Sequence, residues 1–259
     1  LHQYGWDVRV LGIGYSGDPH NYPYRIYSDG DLYGGSRRGM VRVREIIERL
    51  KPDMIIMHDD HWNIAFMADN LAAMNIYTPM IGYVAVDSEN IREDTALQLR
   101  NLKHAVCHTT FAEKELRKAG YDGLSSVAGH AVDLNLYRPM DKLECRSGIT
   151  TATKKKITDE FIWGAVAVNQ PRKRLDLTLA YFAAWWKSNN KPDAYLYLHT
   201  NMGGVWDIAQ LSDYLGIRGR VLTTSTGLTD EQMPTMYNAF DVVLSTSEGE
   251  SFGFGQLEA

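Results

Sequence analysis

Residues 241–259 read DVVLSTSEGESFGFGQLEA. Asp241 to Thr246 is a short, valine-rich run of the kind that forms a parallel strand buried on both faces. Glycines then crowd in at Gly249, Gly253 and Gly255, and Leu257, Glu258 and Ala259 are good helix formers. A strand, a glycine-rich turn and a helix start leave backbone N–H groups and the helix dipole facing an anion, with glycine allowing close approach. The stretch therefore predicts a phosphate-binding turn. Glu250 and Glu258 bracket it with seven residues between them, and each carboxylate can accept hydrogen bonds from sugar hydroxyls.

Upstream of this turn the chain alternates strand and helix. Phe161–Val168 reads as strand, and Leu175–Lys187 as a helix with Leu175, Leu179, Phe182 and Trp186 on one face. Tyr195–His199 is strand, Trp206–Leu215 helix closed by Gly216, Val221–Thr224 strand and Thr229–Phe240 helix. Between the first strand and helix stands Asn169-Gln170-Pro171-Arg172-Lys173-Arg174, which puts three cations at the carboxyl end of the sheet. Arg and Lys there can neutralise the charge growing on a leaving diphosphate without a metal.

The earlier part of the chain repeats the alternation. Strands are expected at Asp7–Tyr15, Met54–Met57, Met80–Val86, Ala105–His108 and Ser125–Ala128, with helices at Met40–Leu50, Asn63–Met74, Ile91–Leu102 and Phe111–Ala119. Ser16–Gly39 reads as a tyrosine- and glycine-rich loop, whose Tyr22, Tyr24, Tyr27 and Tyr33 are candidates to stack on acceptor sugar rings. Short links between alternating elements imply parallel sheets covered by right-handed crossovers. The fold class is therefore α/β, two Rossmann-like domains facing across a cleft: residues 1–139, a polar linker at 140–160 holding Lys154, Lys155 and Lys156, and residues 161–259.

Composition agrees with a globular protein: 44% of the 259 residues are hydrophobic and 23% charged. The net charge of −5 argues against nucleic acid as a partner. Cys107 and Cys145 provide neither a disulfide framework nor a metal pattern and fit a reduced, cytoplasmic setting. No run approaches the roughly 18 apolar residues of a membrane span. Leu1 opens on what reads as a helix tail and Ala259 closes in a helix barely begun, so the sequence predicts a piece of a longer chain, truncated at both ends, and an open sheet edge that a homodimer would cover. Asp29-Gly30-Asp31 is too short and too glycine-flanked to read as a metal site, and Gly12-x-Gly14 lacks the rest of a dinucleotide fingerprint.

The stretch Glu250-Ser251-Phe252-Gly253-Phe254-Gly255-Gln256-Leu257-Glu258-Ala259 resembles the Glu, seven residues, Glu signature of the retaining glycosyltransferases of the GT-B fold, family 4. Ser251 replaces a glycine of the usual form and Gly255 its proline. Gly129–Pro139, GHAVDLNLYRP, resembles the family's boundary motif through His130, Val132, Asp133, Tyr137 and Pro139, with Ala131 for glycine. The resemblance implies transfer of a hexose from a UDP- or GDP-linked sugar to a glycan, lipid or small-molecule acceptor, with no cofactor and no metal. A lipid acceptor would bring peripheral membrane contact.

By the same resemblance Glu250, Lys173 and His61 are catalytic candidates. Arg172, Lys173, Glu250, Ser251, Phe252, Gly253 and Glu258 bind the nucleotide sugar, with Glu258 on the ribose. The family's diphosphate lysine matches Lys173, but Val168 stands where its arginine would be, which leaves two readings: Arg172 or Arg174 substitutes, or the grip on the diphosphate is weakened. A first-domain histidine is expected on the donor sugar; His58 and His61 both qualify, and each is equally readable as a polar strand end, as are His130 and His199. Two other functions fit the same residues: a sugar-nucleotide epimerase of this architecture, and a non-catalytic nucleotide-sugar-binding module.

Overall fold

The computed structural model describes residues 1–29, 39–40, 42–149, 155–225 and 227–259. The chain divides into two compact units, Leu1–Gly129 and His130–Ala259, each built on a parallel sheet.

In the first unit β1 (Arg9–Gly12) and β2 (Arg25–Ser28) pair in parallel as a separate two-stranded sheet. β2 falls inside the stretch expected to be a loop. Its alternating RIYS pattern is too short to stand out, and its pairing with β1 supplies what propensity does not. Then come α1 (Val43–Leu50), β3 (Ile55–Asp60), α2 (His61–Ala73), β4 (Met80–Ala85), α3 (Glu93–Gln98), β5 (His104–Cys107), α4 (Thr110–Lys118) and β6 (Ser125–Val127). The four-stranded sheet runs β3-β4-β5-β6. Ile64, Ala65, Ala68 and Leu71 of α2 pack with Val84, Ala105 and Cys107 of the strands in one core. β3 continues through His58, Asp59 and Asp60, further than expected, because each of its residues finds a partner on β4 as far as Asp60 opposite Ala85.

The second unit holds α5 (Lys142–Arg146), β7 (Phe161–Val166), α6 (Leu175–Ser188), β8 (Ala194–His199), α7 (Ile208–Tyr214), β9 (Val221–Thr224), α8 (Gln232–Asn238), β10 (Val242–Val243) and α9 (Phe254–Glu258). Its sheet order is β10-β7-β8-β9. The chain steps outward from β7 to β8 and β9, then returns through α8 to the other side of β7. The loops after β7 and β10 therefore leave neighbouring strand ends at a switch point, where open α/β sheets bind ligands.

Two expectations change here. The strand expected at Asp241–Thr246, buried on both faces, pairs only at Val242 and Val243, and Val242 is 41% exposed. Among the described residues β10 pairs with β7 alone. The second concerns residues 140–160, expected to be a linker. Their described part belongs to the second unit: Cys145 and Ile157 lie in a core cluster with Ile162, Tyr237 and Phe240. Arg146, 3% exposed, donates to the Ala239 carbonyl at 2.8 Å, the Thr158 carbonyl at 2.6 Å and Asp241 Oδ2 at 2.6 Å. Polar composition hid this because the one guanidinium is fully paired.

Both cysteines are free and buried, and burial pushes the Cys107 thiol up to about 12. No helix among the described residues is long and apolar enough to cross a membrane.

At Gly164 of β7 a Cβ would lie 2.0 Å from Cδ2 of Phe240, a ring held in the core. Gly164→Ala should therefore destabilise the protein by about 1–3 kcal/mol through overpacking, measured by urea unfolding. Asp241 gives a pH prediction. Burial works to raise its carboxyl, but Lys142, the Ile162 amide and Arg146 outweigh this and hold it below its ordinary value. Its contribution is present above the ordinary carboxylate range and is lost as pH falls through the depressed value. Urea midpoints should fall as pH drops below the ordinary carboxylate range, and less steeply in Asp241→Asn, whose baseline stability is lower.

Candidate functional site

The two switch-point loops are joined by side chains and backbone. After β7, Pro171–Lys173 forms a single 3-10 turn, and Arg174 follows in the left-handed region at φ 49°. That conformation is strained for arginine, and its side chain is anchored on both sides. Nη2 lies 2.9 Å from Asp176 Oδ2, and Nη1 pairs with Glu248. The Thr246 hydroxyl reaches the Arg174 carbonyl at 2.8 Å and Thr178 Oγ1 at 2.7 Å, and the Glu248 amide donates to the Arg172 carbonyl at 2.8 Å. These bonds place Arg172 and Lys173 beside Glu250. Arg172 Nη1 donates to the Gly249 carbonyl at 2.7 Å and lies 3.3 Å from Glu250 Oε2, while Lys173 Nζ pairs with Glu250 Oε1.

The side chain of Lys173 is 15% exposed and that of Glu250 29%. Burial works to raise the Glu250 carboxyl, but Lys173, the Ser247 hydroxyl and Arg172 outweigh it and hold the group below its ordinary value. It is ionised at neutral pH, and the two cations are partly neutralised by it.

Ser251 and Phe252 lead to Gly253, whose φ of 81° is a conformation that favours glycine. α9 begins at Phe254, and Arg172 and Lys173 bring positive charge to the turn before it. The His130 ring packs against Phe252 and Phe254, with centroids 5.2 and 4.8 Å away. Glu258 Oε2 accepts a 2.8 Å hydrogen bond from the Tyr237 hydroxyl. The two glutamates thus have different surroundings, Glu250 on cations and Glu258 on a phenol.

In the first unit His58 and His61 separate. His61 starts α2 and is 6% exposed; its Nδ1 lies 3.2 Å from the Ala85 carbonyl and its ring meets Trp62. Since a carbonyl only accepts, Nδ1 carries the proton. Burial lowers the His61 pKa against the opposing effects of Ala85 and Asp87, so the ring is neutral at pH 7. His58 lies in β3 with an exposed ring packed on Tyr83 and His108. The histidines thus face different partners.

Tyr22 and Tyr24 stack with centroids 5.4 Å apart, but Tyr27 sits under Arg25 and Arg49, and Tyr33 lies outside the described residues. Buried Asp29 accepts from the Gly14 amide at 3.2 Å, tying the loops that follow β1 and β2; Gly30 and Asp31 lie outside the described residues.

Sequence reading passed over Thr246, Glu248 and Tyr237. Glu248 stands two residues before Glu250 and was readable as an acid, but its partner Arg174 is 74 residues away and no spacing rule joins them.

No family model and no curated protein matches the chain. Solved structures do. An α,α-trehalose 6-phosphate synthase from Burkholderia multivorans aligns with a TM-score of 0.64 at 9% identity, covering 90% of this chain and 60% of that one. A TarM variant from S. aureus, in complex with Fondaparinux, α-GlcNAc-glycerol and UDP, gives 0.63 at 14% identity, over 86% and 43%. The lipopolysaccharide outer core galactosyltransferase WaaB gives 0.54 at 15%, over 91% and 62%. The chain therefore spans about half the length of the solved chains it matches. At such identities the likeness establishes the fold, an α/β architecture of the GT-B type.

Because Glu250 occupies both cations, removing its charge should free them for an anion. Glu250→Gln is expected to tighten binding of inorganic pyrophosphate by about three- to ten-fold, the scale of one net hydrogen bond. Calorimetry checks this, and weaker binding would show that the carboxylate shapes the anion site.

Proposed function

We propose that this chain carries the donor-binding part of a retaining, metal-independent glycosyltransferase. It takes a hexose from a UDP- or GDP-linked sugar and passes it to a glycan, lipid or small-molecule acceptor. The observation that carries the reading is the Arg172–Lys173 pair gathered against Glu250 at the β7/β10 switch point. A diphosphate arriving there displaces Glu250 from the cations, which then take up the charge that develops as the bond from sugar C1 to the phosphate oxygen breaks. The acceptor oxygen forms the new bond to C1, and its proton leaves with the diphosphate oxygen. Released from the cations, Glu250 can accept from the donor sugar's hydroxyls, and Glu258 from those of the ribose.

Retention, and the role of His61 on the donor sugar, rest on the motif resemblance. His61 supports it by being neutral, with Nδ1 committed to Ala85 and Nε2 therefore an acceptor. Neighbours of this fold have been solved with UDP and α-GlcNAc-glycerol and with UDP-2-fluoro glucose, which favours a nucleotide-linked donor. Val168, which replaces the expected arginine, favours the second reading: a module that binds nucleotide sugar without turnover.

A panel of UDP- and GDP-sugars separates these readings. Release of nucleoside diphosphate with a transferred sugar of unchanged anomeric configuration by NMR supports transfer. Binding without release supports the module, and a donor with an inverted sugar carbon supports an epimerase. Lys173→Ala should weaken binding of the free nucleoside diphosphate by about 1.5–3 kcal/mol in calorimetry. Unchanged affinity would remove Lys173 from the site.

A further inference from the structure

Glu258 lies on α9, a helix with no side-chain cap at its start. What fixes Glu258 is a phenol from another element: Tyr237 on α8, 4% exposed, donates from its hydroxyl to Glu258 Oε2 at 2.8 Å. Tyr137, from the boundary motif, lies alongside with its ring centroid 6.3 Å from that of Tyr237. Burial, with the Glu258 charge and hydrogen bonding adding to it, pushes the Tyr137 hydroxyl up to about 12; burial and the Glu258 hydrogen bond raise Tyr237 as well. Both phenols therefore keep their protons near pH 7 and can only be donors toward an ionised carboxylate.

An ionised carboxylate offers about four lone-pair sites. Two phenols use about half of them and leave an acceptor pair of fixed direction. We infer that Tyr237, with Tyr137 in support, is a positioning residue that holds Glu258 ready for a vicinal diol, the ribose hydroxyls of the donor nucleotide. This rests on the donor reading above and adds to it: recognition of the ribose depends on a hydroxyl that never touches the ligand. A merely structural Tyr237 would hold α9 for any ligand alike, whereas a positioning Tyr237 matters only when the diol is present.

The test uses the full chain and calorimetry with UDP, GDP and the 2′,3′-dideoxy counterpart of the tighter one. The unaltered protein should prefer the ribonucleotide by about ten-fold or more. Tyr237→Phe should cut that preference by about three- to ten-fold, the scale of one net hydrogen bond, while affinity for the dideoxy compound stays within about two-fold. Glu258→Gln should abolish the preference, and adding Tyr237→Phe to it should change nothing further. If Tyr237→Phe melts well below the unaltered protein, Tyr137→Phe carries the same comparison.

Equal weakening of both nucleotides by Tyr237→Phe would make the tyrosine structural and overturn the inference. So would an unchanged preference in Tyr237→Phe beside a lost one in Glu258→Gln, and there the donor reading would stand. An unaltered protein that binds both nucleotides equally would take Glu258 off the ribose, and one that binds neither would remove the donor reading and the inference together.

Discussion

The second unit depends on one carboxylate. Asp241 takes a hydrogen bond from the buried guanidinium of Arg146, accepts the Ile162 amide at 2.7 Å and pairs with Lys142 at 2.8 Å. These partners come from α5 and from the start of β7, and Asp241 itself stands directly before β10. A buried ion pair adds little net stability over an apolar replacement, but losing one partner leaves a charge stranded in the core. What the pair does is fix geometry. It sets β10 against β7, and the register of those strands decides which residues of the two following loops meet.

The site is built on that register. β10 is only two residues long, so the loop after it is held less by the sheet than by Thr246, Glu248 and Glu250 reaching across to the loop after β7. Packing thus delivers the motif approximately, and charge-assisted hydrogen bonds finish the placement. The boundary motif joins the same assembly through His130 on the two phenylalanines of the turn. Two stretches that stand out separately in the sequence are neighbours in the second unit.

The fold was legible because parallel strands and their helices carry their signals locally. The helix expected at Leu175–Lys187 is α6 within one residue, and the strand expected at Val221–Thr224 is β9. What escaped was set by partners far along the chain. β2 exists through β1, the place of β10 beside β7 follows from sheet order, and Arg146 reads as part of a polar linker until Ala239 and Asp241 are placed around it. The candidate site divides in the same way. Arg172, Lys173 and Glu250 were readable as residue types at the right strand ends. Their pairing with one another was not, nor was the attachment of Glu258 to Tyr237, since each link spans many residues.

The basic turn is electrically quiet. Arg172, Lys173 and Arg174 face Glu250, Glu248 and Asp176, so within this small cluster the formal charges cancel. On a chain of net charge −5, such a cluster projects little attraction into solvent. An anionic ligand is therefore not drawn in from a distance, and its rate of arrival responds weakly to ionic strength. Discrimination comes at contact instead: a single negative charge offers the two cations no better than Glu250 already does, while two charges on adjacent phosphates can satisfy both at once. The turn is in this sense a filter for the spacing of charge.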